Sequence, residues 1–175
     1  MTPEGMGDHP DLRGRAVCFR DFVGRRRFLY DDSGHGTHVC GILCGSGRLS
    51  GGRLRGMAPG VRLVLGKVLD RNGDGSTEAM LEGLDWVLEL REEYGIRIVN
   101  ISVGIGSLRE RRKEDLLQER IERLWRKGIL VVCAAGNKGP REGSISAVGG
   151  KCVVTVGCYD GSFAVGNPRS CELYS

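Results

Sequence analysis

Four short runs of near-continuous apolarity, separated by stretches with helical periodicity, set the strongest limit on what this chain can become. The runs are residues 61–69, 96–103, 128–135 and 152–157. Their β-branched content and lack of polar alternation predict strands covered on both faces. Between the first two runs, residues 76–94 place Met80, Leu81, Leu84, Val87 and Leu88 at helical spacing, with Ser76 or Thr77 as cap and Gly95 as stop. Between the second and third, residues 110–127 gather Leu116, Leu117, Ile121, Leu124 and Trp125 on one side. Strand alternating with helix implies a mostly parallel sheet with right-handed crossovers and helices on both faces, an α/β fold. Ligands in such sheets sit beyond the carboxyl ends of the strands, so chemistry is expected in the loops after Leu69, Ser102 and Ala135.

Composition excludes several classes. Glycine supplies 29 of 175 residues, more than twice the roughly 7% of ordinary usage, without a collagen period. These glycines punctuate tight turns, residues 45–52 reading as a surface loop. A net charge of +4 with both signs mixed along most of the chain is too weak to name nucleic acid as a partner. Arg25–Arg27 and Arg111–Lys113 are short basic runs, not a stripe. Nothing approaches the 18 or so apolar residues of a membrane span, and no membrane partner is expected. The seven cysteines form no Cys-x-x-Cys pair, and several lie in apolar runs. They read as reduced core thiols, which fits a reducing compartment.

Three segments carry candidate chemistry. In and just after residues 31–41, His35, His38, Cys40 and Cys44 fall within ten residues and invite a metal reading. On a helix starting at His35, however, Cys40 and Cys44 lie about 140° and 180° around the axis from that histidine and cannot converge on one ion. Residues 70–75 (DRNGDG) begin like a calcium loop, but its twelfth position is Leu81 where a bidentate Glu is needed; a Gly-rich turn leading into a helix is favoured. Residues 134–140 (AAGNKGP) end an apolar run with Asn137 between small residues. No metal and no cofactor is expected.

Taken in chain order, HPDL at 9–12, GHGTHVCG opening a helix, GMAPG before a strand, KVLDRNGDG after it, NISVG and AAGN resemble the subtilisin-like serine proteases. The resemblance runs to about Asp160. It implies that His35 is the catalytic base and Asn137 the oxyanion-hole amide. Ser102, Val103 and Gly104 would form one wall of an extended substrate cleft, and Gly73, Asp74 and Gly75 the facing wall. Ala134, Ala135 and Gly136 would line the specificity pocket, the substrate being a peptide or protein. A histidine at a helix start between glycines leaves its imidazole accessible to a serine hydroxyl. Backbone walls read peptide hydrogen bonds first and side chains second.

In that family the triad aspartate lies in an Asp-Thr-Gly or Asp-Ser-Gly before HPDL, and the nucleophile in a Gly-Thr-Ser opening a central helix. Neither stands at its place here. Asp32-Ser33-Gly34 belongs to the histidine block, and Ser144 and Ser146 do not match. A basic glycine-rich stretch with Arg48, Arg53 and Arg55 replaces the family's calcium loop. Residues 1–175 are therefore expected to be one partial subtilisin-like domain, incomplete at both ends, inactive alone, and poorly soluble or partner-dependent. The rival expectation is a non-catalytic peptide-binding remnant of that fold. Many members of the family are exported, which opposes the compartment suggested by the cysteines.

Overall fold

A computed structural model of the chain describes residues 9–103, 111–138, 144–145 and 151–157. They fall into two compact units dividing after Val87. In the first, strand β1 (Ala16–Asp21) pairs in parallel with β2 (Leu63–Lys67). Helix α1 (His35–Cys44) lies between them in the chain, and α2 (Thr77–Tyr94) follows and runs past the division. β1 is absent from the sequence expectation, because Arg20 and Asp21 break its apolar run.

Strand alternation divides the work of β2. Leu63 and Leu65 join Leu12, Leu29, Cys40 and Cys44 in one cluster, on the side of α1. Gly66 and Val68 serve the other side, where Phe22 and Trp86 meet edge to face at 5.6 Å between ring centroids. Gly83 of α2 would place a Cβ 3.4 Å from Val68 Cγ1, so a larger residue would crowd helix against strand. This strand is covered on both faces, as its sequence predicts. Ser76, not Thr77, caps α2: its Oγ accepts the Ala79 N–H at 3.0 Å.

The carboxyl end of α1 is closed from outside. Four terminal carbonyls of a helix lack intrahelical donors. Here the Met57 and Ala58 amides donate to Ile42 O and Leu43 O at 3.0 and 2.7 Å. The returning chain must come so close that a Cβ on Gly56 would stand 2.6 Å from Gly45 N and 2.7 Å from Cys44 N. The 45–52 loop is accordingly only partly a surface feature, since Gly45 and Gly47 are buried.

The second unit holds β3 (Ile98–Ile101), α3 (Arg111–Arg126), β4 (Leu130–Ala134) and β5 (Val154–Val156), with the strands parallel in the order β3-β4-β5. Leu117, Ile121 and Leu124 of α3 are buried, as are Ile129, Val131 and Cys133; each aliphatic side chain so buried contributes about 1.5–3 kcal/mol. Trp125, expected on the buried side of α3, is 44% exposed. Cross-strand partners share a face, and Ile98, Leu130, Val154 and Val156 leave theirs exposed. Among the described residues one face of this sheet is thus exposed. Ile121→Ala is expected to lower stability by about 2–5 kcal/mol, whereas Trp125→Ala costs far less; urea midpoints of the two variants check the contrast.

Candidate active site

In parallel strands every carboxyl end points the same way, and the first unit collects two of the sequence-derived segments there. β1 and β2 are in register at Asp21 and Lys67, and the Phe22 N–H donates to Lys67 O at 2.9 Å. From that edge, residues 22–34 lead to His35, the first residue of α1, and residues 68–75 form a closed turn. His35 is exposed.

The 22–34 connection is organised around Asp21, the one buried charged residue among those described. Asp21 Oδ1 accepts the amides of Val23 and Gly24, both at 2.9 Å, and Oδ2 accepts Arg26 N–H at 3.1 Å and the Tyr30 hydroxyl at 2.7 Å. Burial alone would raise the carboxyl pKa, but these donors outweigh it and hold the group below its ordinary value. Burial, then the hydrogen bond to Asp21, pushes the Tyr30 hydroxyl up to about 12. Cations flank the Tyr30 ring, with Arg26 Cζ 4.5 Å and Lys67 Nζ 5.1 Å from its centroid. Lys67 Nζ also donates to Asp32 Oδ1 at 2.7 Å, tying the end of β2 to the loop ahead of His35.

The amino end of α1 has an indirect cap. Gly34 occupies the cap position at φ 81, with no capping side chain of its own. Asp31 does this from three residues upstream: its Oδ2 accepts both the Thr37 N–H and the Thr37 hydroxyl at 2.7 Å, and its Oδ1 accepts the Gly34 N–H at 3.0 Å. Burial works to raise this carboxyl's pKa, yet the bonds from Thr37, Gly34 and Ser33 bring it below the ordinary value. A negative charge here also suits the positive end of the helix. Sequence reading gave Asp31 no role; an Asp three residues before a cap glycine, with Thr at the third helical position, was the available signal.

Gly73, Asp74 and Gly75 are exposed on a turn that Asp70 closes. Asp70 Oδ1 accepts the amides of Asn72 and Asp74 at 2.8 and 3.0 Å, which lower its pKa. The carboxylate that would open a calcium loop is therefore engaged by the turn's own backbone.

In the second unit Ile101 is paired with Cys133, so Ser102 leaves the sheet beside Ala134, with Val103 following β3 and Ala135, Gly136 and Asn137 following β4. Asn100 Nδ2 donates to Ser102 Oγ at 2.7 Å. The Ala135 N–H donates to Val156 O at 2.8 Å, Gly136 turns the chain at φ 95, and Asn137 is exposed just beyond. Gly104 lies outside the described residues. Each unit thus brings its own candidates to one edge: His35 and Gly73–Gly75 in the first, Ser102, Val103 and Ala134–Asn137 in the second.

Comparison with known proteins gives the family and the fold. A family model described as the subtilase family (peptidase S8) matches residues 5–172, and the chain belongs to that family. Serine protease AprX of Bacillus subtilis is 40% identical over 165 residues, covering 91% of this chain and 37% of AprX. Among solved structures, S41 psychrophilic protease superposes with a TM-score of 0.73 at 29% identity, covering 86% of this chain and 49% of that one. Sphericase gives 0.72 at 27%, over 85% and 48%. The fold is thus α/β and subtilisin-like, and the chain spans about a third to a half of the length of these relatives.

Two outcomes test the first unit. Asp31→Ala should cost about 1–2 kcal/mol of stability, the scale of a lost helix cap, and should speed amide exchange at Thr37. For pH the signs are opposite. Asp21 titrates below its unfolded value, so its contribution is present above the ordinary carboxylate range and is lost as pH falls through the folded pKa. Tyr30 titrates above its own, so its contribution is present below about pH 10 and is lost as pH rises through about 12. Asp21→Asn should flatten the acid limb of a stability-against-pH curve and Tyr30→Phe the alkaline limb.

Proposed function

We propose that this chain supplies the base and oxyanion part of a subtilisin-like serine endopeptidase domain. In this reading His35 takes the proton from a serine hydroxyl as that oxygen attacks the peptide carbonyl, then returns it to the leaving amine. The Asn137 amide donates to the tetrahedral oxyanion. Ser102, Val103 and Gly104 form one backbone wall of the cleft and Gly73, Asp74 and Gly75 the other. Ala134, Ala135 and Gly136 leave room for a substrate side chain. The observation that carries the reading is the presentation of His35: an exposed imidazole at the first residue of a helix whose amino end is held by Asp31 and whose approach is held by Asp21.

In this reading the nucleophile and the orienting aspartate both have no counterpart among these residues. No Gly-Thr-Ser occurs in the 175 residues, so residues 1–175 act as a partial domain and form no acyl-enzyme on their own. A fluorophosphonate probe is expected to leave this polypeptide unlabelled. If the flanking DNA encodes Asp-Thr-Gly upstream and Gly-Thr-Ser downstream, the longer product should be labelled and should hydrolyse casein. In that product His35→Ala should abolish labelling, and Asn137→Leu should lower kcat by about 10²–10³, the scale known for the oxyanion-hole amide of subtilisin. Labelling of the 175-residue chain, or full activity of His35→Ala, would falsify the assignment. Flanks without those codons would favour the peptide-binding remnant.

A further inference from the structure

The loop that returns from α1 to β2 carries a surface that proteolysis does not use. From Ser33 to Leu69 there is no Asp or Glu, while Arg48, Arg53, Arg55 and Arg62 are all exposed. None of these four is paired with a carboxylate among the described residues. The same segment holds the three most exposed large apolar side chains of the described residues: Met57 at 87%, Leu54 at 79% and Leu49 at 66%. Ile42, whose carbonyl receives the Met57 amide, adds a fourth at 59%.

This exposure is built, not slack. Gly47 O accepts the amides of Ser50 and Gly52 at 3.0 and 2.8 Å, and Ser50 Oγ accepts the Leu54 amide at 2.8 Å. Asp11 Oδ1 holds the Leu49 amide at 3.1 Å and the Ser46 hydroxyl at 3.0 Å. The base is closed: a Cβ on Gly47 would stand 3.2 Å from the Cα atoms of both Arg55 and Gly52. Residues 48–54 form a small knuckle whose backbone is bonded inward and whose leucines and arginines face water.

We propose that the 47–57 loop docks on the surface of an anionic lipid bilayer. The exposed guanidinium groups suit an anionic partner, and the adjoining exposed Leu and Met side chains an apolar one. A knuckle of residues 48–54 is small beside the roughly 20–30 residues a side of a stable protein interface, which buries about 800 Å² per partner. A bilayer accepts it, because apolar tips enter the headgroup and acyl boundary while arginine stems lie alongside and their charged ends meet phosphates. The contact is peripheral, reversible and salt-sensitive.

Flotation of the 175-residue chain with phosphatidylcholine vesicles, with and without phosphatidylserine, tests this directly. Recovery is expected only with phosphatidylserine and should fall at high salt. Arg48→Ser/Arg53→Ser/Arg55→Ser should weaken it by about fivefold per arginine, and Leu49→Ser/Leu54→Ser/Met57→Ser should weaken it as well. Arg13→Ser/Arg97→Ser/Lys127→Ser removes the same charge elsewhere and should leave binding intact. Circular dichroism checks each fold, and any triple variant that fails is replaced by its single substitutions. The proposal is overturned by absent or phosphatidylserine-independent flotation, by binding that survives both knuckle variants, or by an equal loss in the control. It is equally overturned if an acidic, leucine-containing peptide binds the knuckle and vesicles do not compete.

Discussion

A carboxylate 3% exposed to solvent would be a liability without donors, and Asp21 has four. Each draws a different part of the 22–34 connection toward the end of β1: the turn at Val23 and Gly24, the backbone at Arg26, and the ring of Tyr30. Removing water from a charge raises the strength of every bond it makes, which is why a single side chain can order so long a loop. The arrangement is all or none in character. A loop that lost one donor would leave a buried charge less satisfied and the remaining bonds under greater demand.

Around this anchor, the histidine helix is held at both ends by groups that are not its own. Asp31 satisfies the amino end from upstream, and the Met57 and Ala58 amides satisfy the carboxyl end from downstream. A ten-residue helix is too short to be stable in isolation, so these outside bonds and the packing of Cys40 and Cys44 set where His35 stands. The second unit uses a different device. There, parallel register at Ile101 and Cys133 sets Ser102 beside Ala134, and the sheet itself orders the loops.

Much of this was legible from the residues. Four runs of apolar sequence became β2, β3, β4 and β5, and the two periodic stretches became α2 and α3, because strand and helix periods survive without tertiary information. β1 was hidden because Arg20 and Asp21 interrupt its apolar run, and its pairing with β2 leaves no local pattern. Trp125 misled for a related reason: periodicity places a residue on a flank of a helix but does not say how wide the covered stripe is. For the candidate site, His35, Gly73–Gly75 and Asn137 were singled out by their sequence blocks. Asp31 was passed over although its spacing to Gly34 and Thr37 was there to be read, and Lys67 because an ion pair across 35 residues leaves no local pattern.

The closed neck between Gly45–Gly47 and Arg55–Ala58 separates the length of the knuckle from the geometry of the histidine helix. Chain entering and leaving the neck is pinned by α1 and Asp11, so a change of length at the exposed Gly51–Gly52 tip stays remote from that helix. Doubling such a loop costs only about 0.6 kcal/mol in closure entropy. Residues 48–54 are thus where this chain can accept an inserted segment, a protease nick or a fused peptide while His35 keeps its place.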